Sequence, residues 1–135
     1  MATVAEIREG LRANLATITG CQVSAYMLSQ PTTPCLYVVP GAMDFDQAMQ
    51  RGMDRSTFRV VALAGLASDI GAQKKLDEFL ARSGATSVKA AIEADRTLGG
   101  VVDHLRVIDY SDYRTYGQPG GQVHLGVEFT VDVIE

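Results

Sequence analysis

Two histidines are the side chains best suited to act as a general base, and the sequence places no nucleophile beside either of them. His104 and His124 both fall among alternating apolar residues, which predicts ordinary polar positions on the solvent face of a strand. Cys21 and Cys35 stand at the starts of predicted strands without a basic neighbour in sequence, so we interpret them as small buried thiols. Since nucleophilic catalysis needs a base beside the nucleophile, the sequence predicts no catalytic residues and a protein that is not an enzyme.

Three aspartates offer the oxygen ligands that Mg²⁺ and Ca²⁺ prefer. Asp44 and Asp46 form a DxD pair and Asp54 follows, but the central Gly and distal Glu of a calcium-binding loop are missing. The glycine pairs Gly99-Gly100 and Gly120-Gly121 lack the surrounding spacing of a phosphate-binding loop and predict turns. We therefore expect no metal-binding residues, no cofactor-binding residues and no cofactor.

The composition is that of one soluble globular domain. The chain has 135 residues, of which 47% are hydrophobic and 21% charged, and its net charge is −4. Disordered chains carry fewer apolar residues, and proteins that grip nucleic acid usually carry a basic surplus. Without an apolar leader or a run of about 18 apolar residues, we expect no membrane association, folding in a reducing cytoplasm and free thiols.

The first element is predicted to be an amphipathic helix. Thr3 and Glu6 have the spacing of a capping box, and Gly20 is placed to stop the helix. One apolar stripe recurs at steps of three and four residues: Val4, Ile7, Leu11, Leu15 and Ile18.

The remaining pattern predicts strands, then helices, then a long terminal hairpin. Strands are predicted at Gln22–Leu28, Cys35–Val39 and Thr57–Leu66, the last of them central and covered on both faces. A second helix opens at Ser68 and Asp69 and ends at Ser83-Gly84, and a short third helix follows through Val88, Ala91 and Ile92.

The terminal hairpin joins Val101–Tyr116 to Gln122–Ile134. The final strand alternates with a period of two, whereas its partner changes phase near Val107-Ile108, which predicts a bulge there. The order α-β-β-β-α-α-β-β predicts a single α+β domain over residues 1–135, with a mostly antiparallel sheet and helices packed on one face.

A segment at about residues 41–56 fits none of these elements and is predicted to be a protruding loop or hairpin arm. We call residues 43–55 the arm. Its mixture of methionine and charge suits contact with another subunit, because methionine adapts to irregular surfaces. The candidate contact residues are Met43, Asp44, Phe45, Asp46, Met49, Arg51, Met53, Asp54 and Arg55.

From end to end, the sequence resembles the tail terminator (tail completion) proteins of long-tailed, siphovirus-type bacteriophages, particularly those of actinobacterial hosts. The likeness is carried by Lys75–Leu80, Gly84–Gly100 and Leu125–Val133. The succession of Asp44-Phe45-Asp46, Arg51-Gly52 and a strand beginning near Phe58 also fits that family.

The resemblance implies a structural virion protein at the tail neck, assembled in the host bacterial cytoplasm. It implies a homo-oligomeric ring, commonly a hexamer, at the head-proximal end of the tail tube. Such a ring stops tube polymerisation, contacts the tail tube protein, and presents a surface to head-closure or neck proteins. Genomic DNA would pass through it without sequence-specific binding, which a net negative chain permits. The alternatives are another neck protein (head-closure or connector), a minor tail protein, or a small ligand-binding α+β domain.

Overall fold

One five-stranded sheet with three helices forms the fold, as the sequence predicted. The computed structural model describes residues 3–18, 21–26, 34–44, 55–66, 70–84, 86–117 and 123–134. The elements are α1 (Val4–Leu15), β1 (Gln22–Ser24), β2 (Cys35–Asp44), β3 (Arg55–Leu66), α2 (Ile70–Phe79), α3 (Val88–Glu93), β4 (His104–Gly117) and β5 (Val123–Ile134). The strand order is β1-β2-β3-β5-β4, and only the β1–β2 pair is parallel.

The α1 helix starts as the sequence predicted. The backbone N–H of Glu6 donates to Thr3 Oγ1 at 3.2 Å, which satisfies one of the unpaired amides of the first turn. Ile7, Leu11 and Leu15 are fully buried, so the stripe faces the sheet. Val4, in the first turn, stays 40% exposed.

Several predicted boundaries move. β2 continues beyond Val39 to Asp44, β3 begins at Arg55 and not at Thr57, and α2 ends at Phe79 and not at Ser83-Gly84. β1 ends at Ser24 rather than Leu28. β4 begins at His104 rather than Val101, because residues 96–103 form a run of turns and bends in which Leu98 has φ 52°. The Asp95 carboxylate accepts from the backbone N–H of Gly99 at 2.9 Å and stabilises that turn. The predicted cap residues Ser68 and Asp69 lie outside the described residues.

The predicted bulge in β4 is confirmed. Val107 pairs with Val131 and Asp109 with Thr130, so Ile108 is the extra residue. Before the bulge, Leu105 and Val107 face the helices. After the bulge, Tyr110 lies on that same face, opposite Phe129.

The core lies between the helices and one face of the sheet. Phe58, Val60 and Ala62 of β3 pair with Val131, Phe129 and Val127 of β5, and all six are 2% exposed or less. With the buried residues of α1, α2 and α3 they form one cluster. Burial at this interface supplies the main stabilising term of the fold.

A smaller cluster lies on the opposite face of the sheet. Cys35, Val61 and Leu63 are buried there, and Tyr37, Val39 and Tyr116 pack against them. β3 is therefore covered on both faces around Val61, as the sequence predicted. A Cβ atom on Gly126 would lie 2.6 Å from Leu63 Cδ2 and 2.8 Å from Tyr116 Cδ1, so glycine is needed for these side chains to close over β5.

Phe129→Ala should lower the free energy of unfolding by roughly 3–5 kcal/mol, because it truncates a buried aromatic side chain between sheet and helices. Thr130→Ala, one residue on and facing the opposite side, should cost about 1 kcal/mol or less. Urea denaturation of both variants measures the difference. Equal costs would contradict the assignment of the two faces.

Candidate functional site

The two ends of the arm are paired strands. Met43 pairs with Ser56 and Asp44 with Arg55, so β2 and β3 are the two sides of a hairpin whose connection is residues 45–54. We call these two pairs the arm root. Of the nine candidate contact residues, Met43, Asp44 and Arg55 lie in strands at the root. Six lie outside the described residues: Phe45, Asp46, Met49, Arg51, Met53 and Asp54.

The ladder is bulged just before the arm root. Pro40 pairs with Phe58 and Met43 with Ser56, so Gly41 and Ala42 together oppose Thr57. A Cβ atom on Gly41 would lie 2.6 Å from the carbonyl oxygen of Thr57, so a side chain there would push the two strands apart. The bulge bends β2 immediately before the arm root.

An open depression of about 500 Å³ lies beside this bulge on the sheet face opposite the helices. Its lining residues belong to three neighbouring strands: Val39, Pro40, Gly41, Thr57, Arg59 and Glu128. Arg59 Nη1 approaches Glu128 Oε2 at 3.5 Å across the β3–β5 pair. The depression is therefore both apolar and charged, and it adjoins the arm root.

β4 has a second register shift, between Ser111 and Arg114, and a polar cluster surrounds it. Glu128 connects the depression to this cluster, because a hydrogen bond with the Asp112 side chain contributes to raising the pKa of its carboxyl. Asp112 has φ 57°, in the left-handed region, and its carbonyl accepts from the Tyr116 hydroxyl at 2.9 Å. The guanidinium of Arg114 lies over the Tyr116 ring, 4.1 Å from its centroid. We call Tyr37, Arg59, Asp112, Arg114, Tyr116 and Glu128 the opposite-face cluster.

This cluster was not predicted from the sequence. Its residues belong to four strands, and for Glu128 the alternation of β5 does place the side chain on the polar face. Which strands are neighbours is not written in the local pattern, so the meeting of Arg59 with Glu128 was not predictable.

Burial sets the protonation of the cluster. Desolvation, and then the hydrogen bond with Asp112, raise the pKa of Glu128 above its usual value of 4.5. Desolvation, followed by the charge of Glu128, raises the pKa of Tyr116 to about 12. Both effects favour neutral side chains, so Tyr116 is a phenol and a hydrogen-bond donor at neutral pH.

The groups that shift the pKa values of Cys21 and Cys35 include no histidine. Cys35 is buried, and desolvation raises its pKa to about 11, so it is a thiol at neutral pH. His104 on β4 pairs with Ile134 on β5, and His124 lies ten residues before Ile134 on β5. This separates the two histidines by roughly 30 Å. His124 pairs with Tyr116 on the sheet face away from the helices, the face that the alternation predicted, and it is partly buried there.

Within the described ranges, no group of three or more His, Cys, Asp or Glu side chains is positioned to hold a metal ion. Asp46 is outside those ranges, so the expectation for the DxD pair stays a prediction. None of the helices in the described part of the chain is long and apolar enough to span a bilayer.

The edge strand β4 is the other notable surface. Ile108, Tyr110 and Tyr113 are 47%, 52% and 44% exposed, three large apolar side chains within six residues. Glu93 of α3 covers part of the edge, since its Oε2 accepts from the backbone N–H of Val107 at 3.0 Å. Lys89 holds the other carboxylate oxygen of Glu93 at 2.6 Å. The covered part of the edge thus ends where the exposed apolar residues begin.

Compared with protein-family models and with curated proteins, the sequence matches no family and no curated protein.

The raised pKa of Glu128 has a consequence for stability. A folded-state pKa above the usual 4.5 means that the native state favours the protonated carboxyl; the stability this provides is present below pH 4.5 and is lost as the pH rises through the folded-state value. Glu128→Gln keeps a neutral side chain at every pH. Its stability relative to wild type should therefore increase between about pH 4 and pH 7, as measured by urea unfolding.

Asp77→Asn is the matched control for that experiment. It makes the same acid-to-amide change at an exposed position on α2, away from the opposite-face cluster. Its difference from wild type should change much less over this range. A Glu128→Gln variant whose stability relative to wild type decreases as the pH rises would contradict the raised pKa of Glu128.

Proposed function

We propose that this chain is a structural virion protein that forms a ring, a hexamer by analogy, at the head-proximal end of a phage tail tube. In this function it stops tube polymerisation and offers a surface for head–tail joining. Its partners are further copies of itself, the tail tube protein and a head-closure protein.

The stretches that resemble tail terminator proteins lie in the elements that build the core. Lys75–Leu80 covers the second half of α2, Gly84–Gly100 contains α3, and Leu125–Val133 is most of β5. These elements pack on one another through the large buried cluster. The resemblance therefore concerns the residues that determine the fold, and it supports the proposal at that level.

The observation that carries the proposal is the exposed apolar edge strand. Soluble monomers keep large apolar side chains off long sheet edges, because an exposed edge invites pairing with another chain. Here Ile108, Tyr110 and Tyr113 are exposed on β4, whose described strand neighbour is β5 alone. Burial of these three side chains in a subunit interface would explain why the chain carries an edge strand that otherwise favours aggregation.

The negative net charge of the chain supports a ring through which DNA passes. The chain carries 16 acidic against 12 basic side chains, a net charge of −4. A ring of such subunits repels the phosphate backbone, so DNA passes without being held.

A ligand-binding domain is the second candidate, and the depression lined by Arg59 and Glu128 favours it. Solution mass separates the two candidates. A monomer at all concentrations, which leaves tail tubes unchanged, favours ligand binding. Association into rings, or capping of tubes, favours assembly. Imaging of intact particles then distinguishes a terminator from a head-closure, connector or minor tail protein.

Replacing residues 45–54 with a short Gly/Ser linker tests the arm. The replacement keeps the paired residues Asp44 and Arg55, so the sheet and its core should remain folded, as measured by circular dichroism and thermal melting. We expect the shortened protein to lose the ability to limit tube length when it is co-expressed with the tail tube protein of its virus, because several anchor residues are removed together.

The intact chain under the same conditions is the control, and tube lengths are read by negative-stain electron microscopy. A shortened protein that limits tube length as well as the intact chain would show that the subunit contacts lie on the sheet or the helices.

A further inference from the structure

A groove runs between the helices and the edge strand β4. Its volume is about 290 Å³, and it is lined by Leu80, Arg82, Lys89, Val107, Ile108, Asp109, Tyr110 and Phe129. An open groove of this size holds one or two side chains of a polypeptide.

The groove combines an apolar floor with a charged rim, on which Arg82 and Lys89 are basic and Asp109 is acidic. Phe129 is 2% exposed, and Tyr110 packs against it with ring centroids 6.3 Å apart. Lys89 is ion-paired with Glu93 at 2.6 Å, whereas the exposed Arg82 has no ion-pair partner among the described residues. A segment with an aromatic residue next to an acid would complement the apolar floor and the charge of Arg82.

The chain contains such a segment in its arm. Asp44-Phe45-Asp46 places one aromatic residue between two acids, and Met49 and Met53 follow. Phenylalanine and methionine suit the apolar floor, and an aspartate beside the phenylalanine suits Arg82.

The positions of arm and groove suit a closed ring. A cyclic assembly of identical subunits uses one heterologous contact, in which two different patches of the same chain meet. The arm root lies on β2 and β3, and the groove lies along β4, with β5 between β3 and β4. Each copy therefore carries one donor and one acceptor at separate places on the sheet.

We propose that the groove lined by Arg82, Lys89 and Tyr110 receives the arm of a second copy of this chain. This assignment rests on the proposed ring function and names the surface that the arm contacts. Phe45 would occupy the apolar floor, and Asp46 would pair with Arg82 on the rim.

The test compares association of the full chain and its variants by analytical ultracentrifugation over a range of concentrations, with tube capping as a second readout. Tyr110→Ser and Arg82→Glu should each weaken association at least about tenfold, as for anchor residues of an interface. Asp46→Lys should do the same, and the double variant Asp46→Lys with Arg82→Glu should regain most of the association, because the pair is restored with its charges exchanged.

Lys74→Glu is the matched control, since it reverses an exposed charge on α2 that does not line the groove. It should leave association within about twofold of wild type. Circular dichroism checks that each variant keeps the native fold.

The outcomes separate this proposal from the one on which it rests. If wild type associates or caps tubes while Tyr110→Ser and Arg82→Glu do so equally well, the groove is wrong and the ring function stands. If both weaken association but the double variant stays as weak as the singles, another segment or protein occupies the groove, and the arm assignment is overturned. A wild-type chain that neither associates nor caps tubes contradicts the ring function, and the groove proposal with it.

Discussion

The antiparallel register between β3 and β5 is the constraint on which the rest of the structure depends. It places Val60 opposite Phe129 on the helix-covered face and Val61 opposite Glu128 on the other. A slip of one residue would turn every side chain of a strand to the wrong face. The helices, the arm root and the opposite-face cluster all take their positions from these two central strands.

The two faces of the β3–β5 pair contribute differently to the protein. The helix-covered face holds almost all the buried apolar area and so stabilises the domain. The opposite face has a small apolar cluster around Leu63, and beside it Arg59 and Glu128 line a depression. Because a single helical layer covers the sheet, the molecule retains a second face and an edge that can serve interaction.

The edge strand β4 shows how protection and exposure are divided along one element. Burial tends to raise the pKa of Glu93, but hydrogen bonds from Lys89 and from the Val107 amide keep it below its usual value, so the carboxylate stays charged where it covers the edge. From the bulge at Ile108 onward, the large apolar side chains are about half exposed, although Tyr110 still packs against Phe129. The protected edge thus gives way to an exposed apolar strip, which is the surface that the proposed assembly would bury.

The sequence by itself determined the elements and much of their burial. The capping box at Thr3, the stripe through Ile7 and Leu11, and the phase change before Ile108 are local patterns, and local backbone geometry enforces them. The arm was also marked in the sequence, though most of its residues lie outside those that the structure describes.

Only the tertiary structure decided which elements are neighbours. The contact of Arg59 with Glu128 joins residues 69 positions apart, and the groove brings together Arg82 and Tyr110, which are 28 positions apart. The strand order likewise pairs β3 with β5 across the helices and β4. No local periodicity encodes such pairings, because they depend on how all the apolar faces are buried together.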